Sequence, residues 1–141
     1  MTIAFGCDNA ALELKQTLIT FVESLGHSTK DFGTFTDERV HYPEYAKKAA
    51  QSVIDGECDV CILVCGTGVG MSIAANKLRG MRAVVCSEPY SARLSKEHND
   101  TNALCLGARV IGPELAKMIV ETWLSAEFQG GRHAERVAMF E

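Results

Sequence analysis

Three sets of residues in this chain have types and spacings that could do chemistry. Cys65 heads the run Cys65-Gly66-Thr67-Gly68-Val69-Gly70, His98 lies within Lys96-Glu97-His98-Asn99-Asp100, and Arg132 and Arg136 stand four apart after Gly130-Gly131. The cysteine run says most. Before it, Val60 to Val64 is a continuous apolar stretch rich in β-branched residues, which reads as an interior strand. After it, Met71 to Asn76, with Met71, Ile73, Ala74 and Ala75, suits a short and largely buried helix. A strand feeding a glycine turn at a helix start aims a row of backbone N–H groups at one point, with the positive end of the helix dipole behind them. A thiol held there is drawn toward its thiolate. The same amides stabilise an oxygen that gains negative charge. Proton abstraction beside a carbonyl uses both.

Two other enzyme chemistries fit the loop less well. A dinucleotide fingerprint would read G-x-G-x-x-G in the first βα unit, whereas this run is G-x-G-x-G in the third. Glu88 could imitate the ribose acid, but 141 residues leave no substrate domain. A cysteine phosphatase needs an arginine six residues after the thiol; that position is Met71, so no bidentate clamp is present. The bland alternative is an inert cysteine in a tight turn. His98 exchanges protons near neutral pH, although a lone loop histidine is more often a solvated one. Arg132 and Arg136 share a helix face and repel slightly, until an anion between them turns the pair into a phosphate clamp. The bland alternative is a solvated basic face beside Glu135.

These groups need a scaffold, and the chain supplies one. Strands are expected at Thr2 to Phe5, Ser28 to Phe32, Val60 to Val64, Arg82 to Cys86 and Ala103 to Leu106. Between them Leu14, Leu18, Phe21, Val22 and Leu25 mark one face of a helix that Gly26 stops. Pro43 opens a second helix, and Ser87 caps one that starts at Glu88-Pro89. Pro113 opens a long helix with Leu115, Met118, Ile119 and Trp123 turned inward, and Arg132 to Phe140 forms an extra C-terminal helix. Such alternation predicts a single Rossmann-like three-layer α/β/α domain over residues 1–141 with a five-stranded parallel sheet. Ligands collect at the carboxyl ends of such strands. That rule gathers Asp8-Asn9, Cys65 to Gly70, Ser87-Glu88 and Gly107 to Arg109 around one crevice.

Composition excludes several classes. A net charge of −4 argues against a nucleic-acid partner. No apolar run approaches the ~20 residues that span a bilayer, and MTIAF leads straight into a strand, so a cytoplasmic location is expected. Six cysteines suggest metal or disulfides, but Cys61, Cys86 and Cys105 lie in apolar runs. Cys58, Cys61 and Cys65 also lack a second CxxC or HxxxH to complete a zinc tetrahedron. Neither a metal nor a cofactor is expected.

The chain resembles the ribose-5-phosphate isomerase B and galactose-6-phosphate isomerase family over essentially its whole length. The matching stretches are IAFGCD (Ile3 to Asp8), DFGT (Asp31 to Thr34), YPEYAKK (Tyr42 to Lys48) and ILVCGTGVGMSIAANK (Ile62 to Lys77). They continue with RAVVCSEPYSARLSKEHNDTN (Arg82 to Asn102), LGARVIG (Leu106 to Gly112) and EFQGGRHAERV (Glu127 to Val137). The resemblance implies a metal-free aldose–ketose isomerase that interconverts ribose 5-phosphate and ribulose 5-phosphate through an enediolate. It implies that Cys65 is the base, and that Thr67 with the amides of Gly66, Gly68, Val69 and Gly70 forms the oxyanion hole. It further implies that His98 opens the furanose ring, that Asn99 and Asp8 hold sugar hydroxyls, and that Arg109, Arg132 and Arg136 hold the phosphate. Homodimers or dimers of dimers with sites shared between subunits are implied as well.

One position departs from that pattern. Where the family usually reads Cys-Asp-His, this chain has Cys7-Asp8-Asn9, and Ala10-Ala11 replaces the common Ala-Gly. Asn keeps a donor but cannot become cationic, which would weaken binding near the phosphate by about 1–2 kcal/mol. A six-carbon phosphosugar, such as allose or galactose 6-phosphate, is therefore the alternative substrate. A catalytically silent sugar-phosphate-binding module is the alternative from another class. His27, His41 and His133 have no role that the sequence reveals.

Overall fold

A computed structural model describes residues 1–140. The apolar runs become β1 (Thr2–Cys7), β3 (Val60–Cys65) and β5 (Ala103–Gly107), and every residue of β3 and β5 is buried. The polar run Ser28–Asp31 becomes β2 and the short apolar run Ala83–Val85 becomes β4, and these two lie at the edges. All neighbouring pairs are parallel, in the order β2-β1-β3-β5-β4. Parallel strands require crossovers. These are α1 (Leu12–Ser24), α2 (Tyr42–Ile54), α3 (Val69–Asn76) with the turn after it, and α4 (Pro89–Asn99). Then α5 (Pro113–Ser125) and α6 (Arg132–Val137) close the chain, followed by one 3-10 turn at Ala138–Phe140.

The alternation of side chains along each strand makes two cores. On one face Phe5, Ile62, Leu104 and Leu106 pack against Leu18 and Val22 of α1 and Ile119 and Trp123 of α5. On the other, Ala4, Cys61, Leu63 and Cys105 meet Ala46, Ala49 and Ala50 of α2 and Met71 and Ala75 of α3. The three-layer architecture and the extra C-terminal helix agree with the sequence pattern. None of the helices among the described residues is long and apolar enough to cross a membrane.

Several local expectations are corrected. Ile73, expected inside, is 56% exposed, because α3 spans only two turns and turns Val69 and Ile73 away from the sheet together. On α5, Met118 and Leu115 face outward and Ala116 and Val120 take the inner positions. The cap of α4 is Glu88 rather than Ser87: its carboxylate accepts the Ser91 N–H at 3.0 and 3.1 Å. Those bonds favour the ionised carboxylate and hold its pKa below the ordinary value. Pro43 follows Tyr42, so the cap of α2 is His41, and Cys86 sits just beyond β4.

Candidate functional site

The strand order reverses direction between β1 and β3, and a crevice opens where crossovers diverge. The ends of β1, β3 and β5 are joined there by backbone bonds. Asp8 N–H donates to Val64 C=O at 3.2 Å, Ala108 N–H to Cys65 C=O at 2.8 Å and Arg109 N–H to Gly66 C=O at 3.0 Å. The Cys65 loop lies directly on β5. A Cβ at Gly107 would meet the Thr67 backbone at 2.8 Å, so no side chain fits. Gly68 has φ +83° and caps α3 in a left-handed conformation that other residues rarely adopt.

This turn aims the Gly68 amide at the thiol. Gly68 N–H donates to Cys65 Sγ at 3.1 Å, and Val69 N–H donates to Thr67 Oγ1 at 3.2 Å. The first helical turn leaves further amides, Gly70 among them, without an intrahelical acceptor. Arg109 reaches across Gly66, its Nη1 3.6 Å from where a Cβ would be. Asp8 and Asn9 border the same edge: Asp8 Oδ1 accepts the Ala10 N–H at 3.0 Å, and Asn9 Oδ1 accepts the Val40 N–H at 3.3 Å. Asn9 thereby ties the polar loop after β2 to the crevice. Buried Lys15 fastens the base of that loop, with Nζ 2.8 Å from Asp31 Oδ1 and 2.6 Å from Thr34 C=O.

Sequence reasoning assigned nothing to Tyr42, yet its ring lies where a Gly70 side chain would be, with the hydroxyl 2.7 Å from that Cβ position. An aromatic residue at a helix start beside a polar loop was the available signal, and only the placement of α2 makes it informative. The other cysteines are buried in the cores. Burial pushes the Cys7 and Cys86 thiols up to about 11, and pushes Cys61 and Cys105 up as well. Such thiols stay protonated and unreactive.

The remaining expected residues form a second cluster. Helix α4 starts at the carboxyl edge and returns antiparallel to the strands, so His98 and Asn99 arrive at the amino edge. Its end is pinned by side chains. Trp123 Nε1–H donates to Thr101 Oγ1 at 2.9 Å, Ser95 and Thr101 hydroxyls lie 3.0 Å apart, and Arg82 Nε–H donates to Asp100 C=O at 2.6 Å. Lys96 Nζ sits 4.0 Å from the Trp123 ring centroid. Burial lowers the Lys96 pKa, opposed by Asp100 and reinforced by Arg82. The segment before α6 docks through Gln129 N–H to Glu97 C=O at 2.9 Å. His133 is buried and stacks on His98, with centroids 4.1 Å apart and planes 8° from parallel, while Arg132 and Arg136 remain exposed.

Within one copy the two clusters do not meet. Gly107 is paired with Cys65 and Ala103 with Cys61, so the length of β5, about 13 Å, separates the thiol from the edge that carries His98. The expected phosphate residues are divided too: Arg109 lies beside Cys65, and Arg132 and Arg136 lie beside His98. A cavity of about 460 Å³ at the amino edge has Arg82, Ser95, Asn99 and Phe140 in its wall but not Cys65.

The profile of the ribose/galactose isomerase family matches residues 3–140. Ribose-5-phosphate isomerase B of Escherichia coli strain K12 is 57% identical over 135 residues, 96% of this chain and 91% of that protein. A D-erythrulose-4-phosphate isomerase of Pectobacterium atrosepticum is 44% identical over 97% of this chain and 91% of its own length. The solved structure of Clostridium thermocellum ribose-5-phosphate isomerase B superposes with a TM-score of 0.97 at 52% identity, covering 99% of this chain and 94% of that one.

Proposed function

The chain belongs to the ribose/galactose isomerase family and is a sugar-phosphate isomerase, and from that premise we propose that it interconverts ribose 5-phosphate and ribulose 5-phosphate through an enediolate. In this scheme the Cys65 thiolate takes the proton from C2 of the open aldose and returns it to C1, while the C2 hydroxyl proton passes to O1, leaving a C1 hydroxyl and a C2 carbonyl. The amides of Gly66 to Gly70, with Thr67, hold the oxygen that gains charge. A proton from His98 reaches the ring oxygen as the C1–O bond breaks, and the C1 hydroxyl gives up its own proton to form the carbonyl. Asp8 and Asn99 bind hydroxyls, Asn9 contacts the substrate near its phosphate end, and Arg109, Arg132 and Arg136 bind the phosphate.

The two-edge geometry supports a site made by two copies, with Cys65 and Arg109 from one and His98, Asn99, Arg132 and Arg136 from its neighbour. A homodimer, or a dimer of such dimers, is the proposed assembly. Val69, Ile73 and Val85 expose an apolar strip beside the Cys65 loop that a second copy would cover. The proposed location is the cytoplasm, since a charged phosphosugar does not cross a bilayer unaided.

The observation that carries the reading is the Gly68 amide aimed at Cys65 Sγ at the head of α3. Relatives of 57% and 44% identity bear the names of different substrates, so sugar length is tested directly. A coupled assay compares ribose 5-phosphate with allose 6-phosphate, galactose 6-phosphate and erythrulose 4-phosphate. The pentose phosphate is expected to give the highest kcat/KM; turnover confined to another sugar would overturn the assignment. Binding without turnover on any of them would favour the silent module.

A further inference from the structure

The scheme above gives no work to His133, although it is buried against the proposed ring-opening acid. His133 lies in the first turn of α6, between Arg132 and Arg136 in the chain, and those two arginines face solvent. Its ring lies flat on His98 at 4.1 Å. The approach to α6 is fixed by the Gln129 bond to Glu97, the residue before His98, and by His133 N–H donating to Gly130 C=O at 3.1 Å. The ring that would deliver a proton therefore rests on a ring borne by the helix that would hold the phosphate.

We infer that His133 is a positioning residue that fixes the plane of His98 and links it mechanically to Arg132 and Arg136, so that phosphate binding on α6 sets the ring-opening acid in place. The inference rests on the assignment of His98 above. A histidine at a helix end has two side-chain torsions to lose, and a flat neighbour removes most of that freedom before the substrate arrives. Binding energy from the remote phosphate is then spent on orientation at the reacting centre. Two cationic rings this close would repel. Burial, then the charges of His98, Arg132 and Arg136, keep His133 toward its neutral form.

The test compares His133→Leu, which fills space without a flat face, with His133→Phe, which keeps one. His133→Leu is expected to lower kcat on ribose 5-phosphate about 10-fold or more, with KM held within about twofold; His133→Phe restores most of the rate. Proton exchange at C1 of ribulose 5-phosphate in deuterated water, read by NMR, needs no ring opening and is expected to be equal in the two variants. Equal isomerisation rates in the Leu and Phe variants, or a loss of exchange that parallels the loss of isomerisation, would overturn the inference. His98→Asn separates the two claims: wild-type turnover there removes the His98 assignment itself. An inactive His98→Asn beside a fully active His133→Leu removes only the role of His133.

Discussion

The two edges of the sheet hold reactive groups by opposite means. At the carboxyl edge the backbone does the work: Gly68 and Gly107 let the Cys65 loop lie on β5, and the hydrogen bond to the sulfur comes from the Gly68 amide. At the amino edge the holding groups are side chains from distant parts of the chain, with Trp123, Thr101 and His133 fixing the end of α4. A site for developing charge needs dipoles that do not reorganise, which a glycine turn supplies. A proton donor needs an oriented ring, which packing supplies. Substitutions should therefore damage the two edges differently.

The largest effect is expected from Cys65→Ala, which should lower turnover by ~10² or more while leaving sugar-phosphate binding and the melting temperature close to wild type. Unchanged turnover would remove the carboxyl edge from the chemistry. Next comes Gly107→Ala, whose methyl must displace the Thr67 backbone. It should cost about 1–3 kcal/mol in stability, and calorimetry and kinetics should report the loss of stability together with a loss of rate. At the other edge Trp123→Phe keeps an aromatic ring but removes the N–H that donates to Thr101 Oγ1, leaving that hydroxyl with Ser95 alone. A loss of about 1 kcal/mol with little change in KM would fit a packing role, whereas a stability change near zero would break the comparison.

The smallest effect is a pH slope. His133 has its pKa lowered below 6.5 in the folded chain, so the unfolded chain binds more protons as pH falls through that value. Stability then rises with pH in this window, is fully present above about 6.5, and is lost toward the folded pKa. His133→Phe should flatten the melting-temperature profile between neutral and mildly acidic pH. An unchanged profile would show that the ring titrates freely.

The same division explains what the sequence could disclose. The β3–loop–α3 unit is contiguous, so its strand, turn glycines and thiol could be read together from Asp59 to Lys77. The five parallel strands followed from alternation with helices. Ile73, on a two-turn helix, and Met118, on a longer one, were misplaced because apolar identity alone does not say which helix face meets the core. Glu88 took the cap because its longer carboxylate reached the Ser91 amide, a choice between neighbours that spacing leaves open. Tyr42 and His133 could not be read at all: their positions depend on α2 and α6 docking against residues some thirty positions away.

The central claim is that Cys65 of one copy works with His98 of another. Co-expression of Cys65→Ala with His98→Asn tests it most directly, because a mixed dimer then holds one intact site and one doubly impaired site. With random pairing, turnover of ribose 5-phosphate should recover to about a quarter of wild type, although each variant alone is nearly inactive. A mixture no more active than its two components would place both residues of each site in one chain and contradict the account.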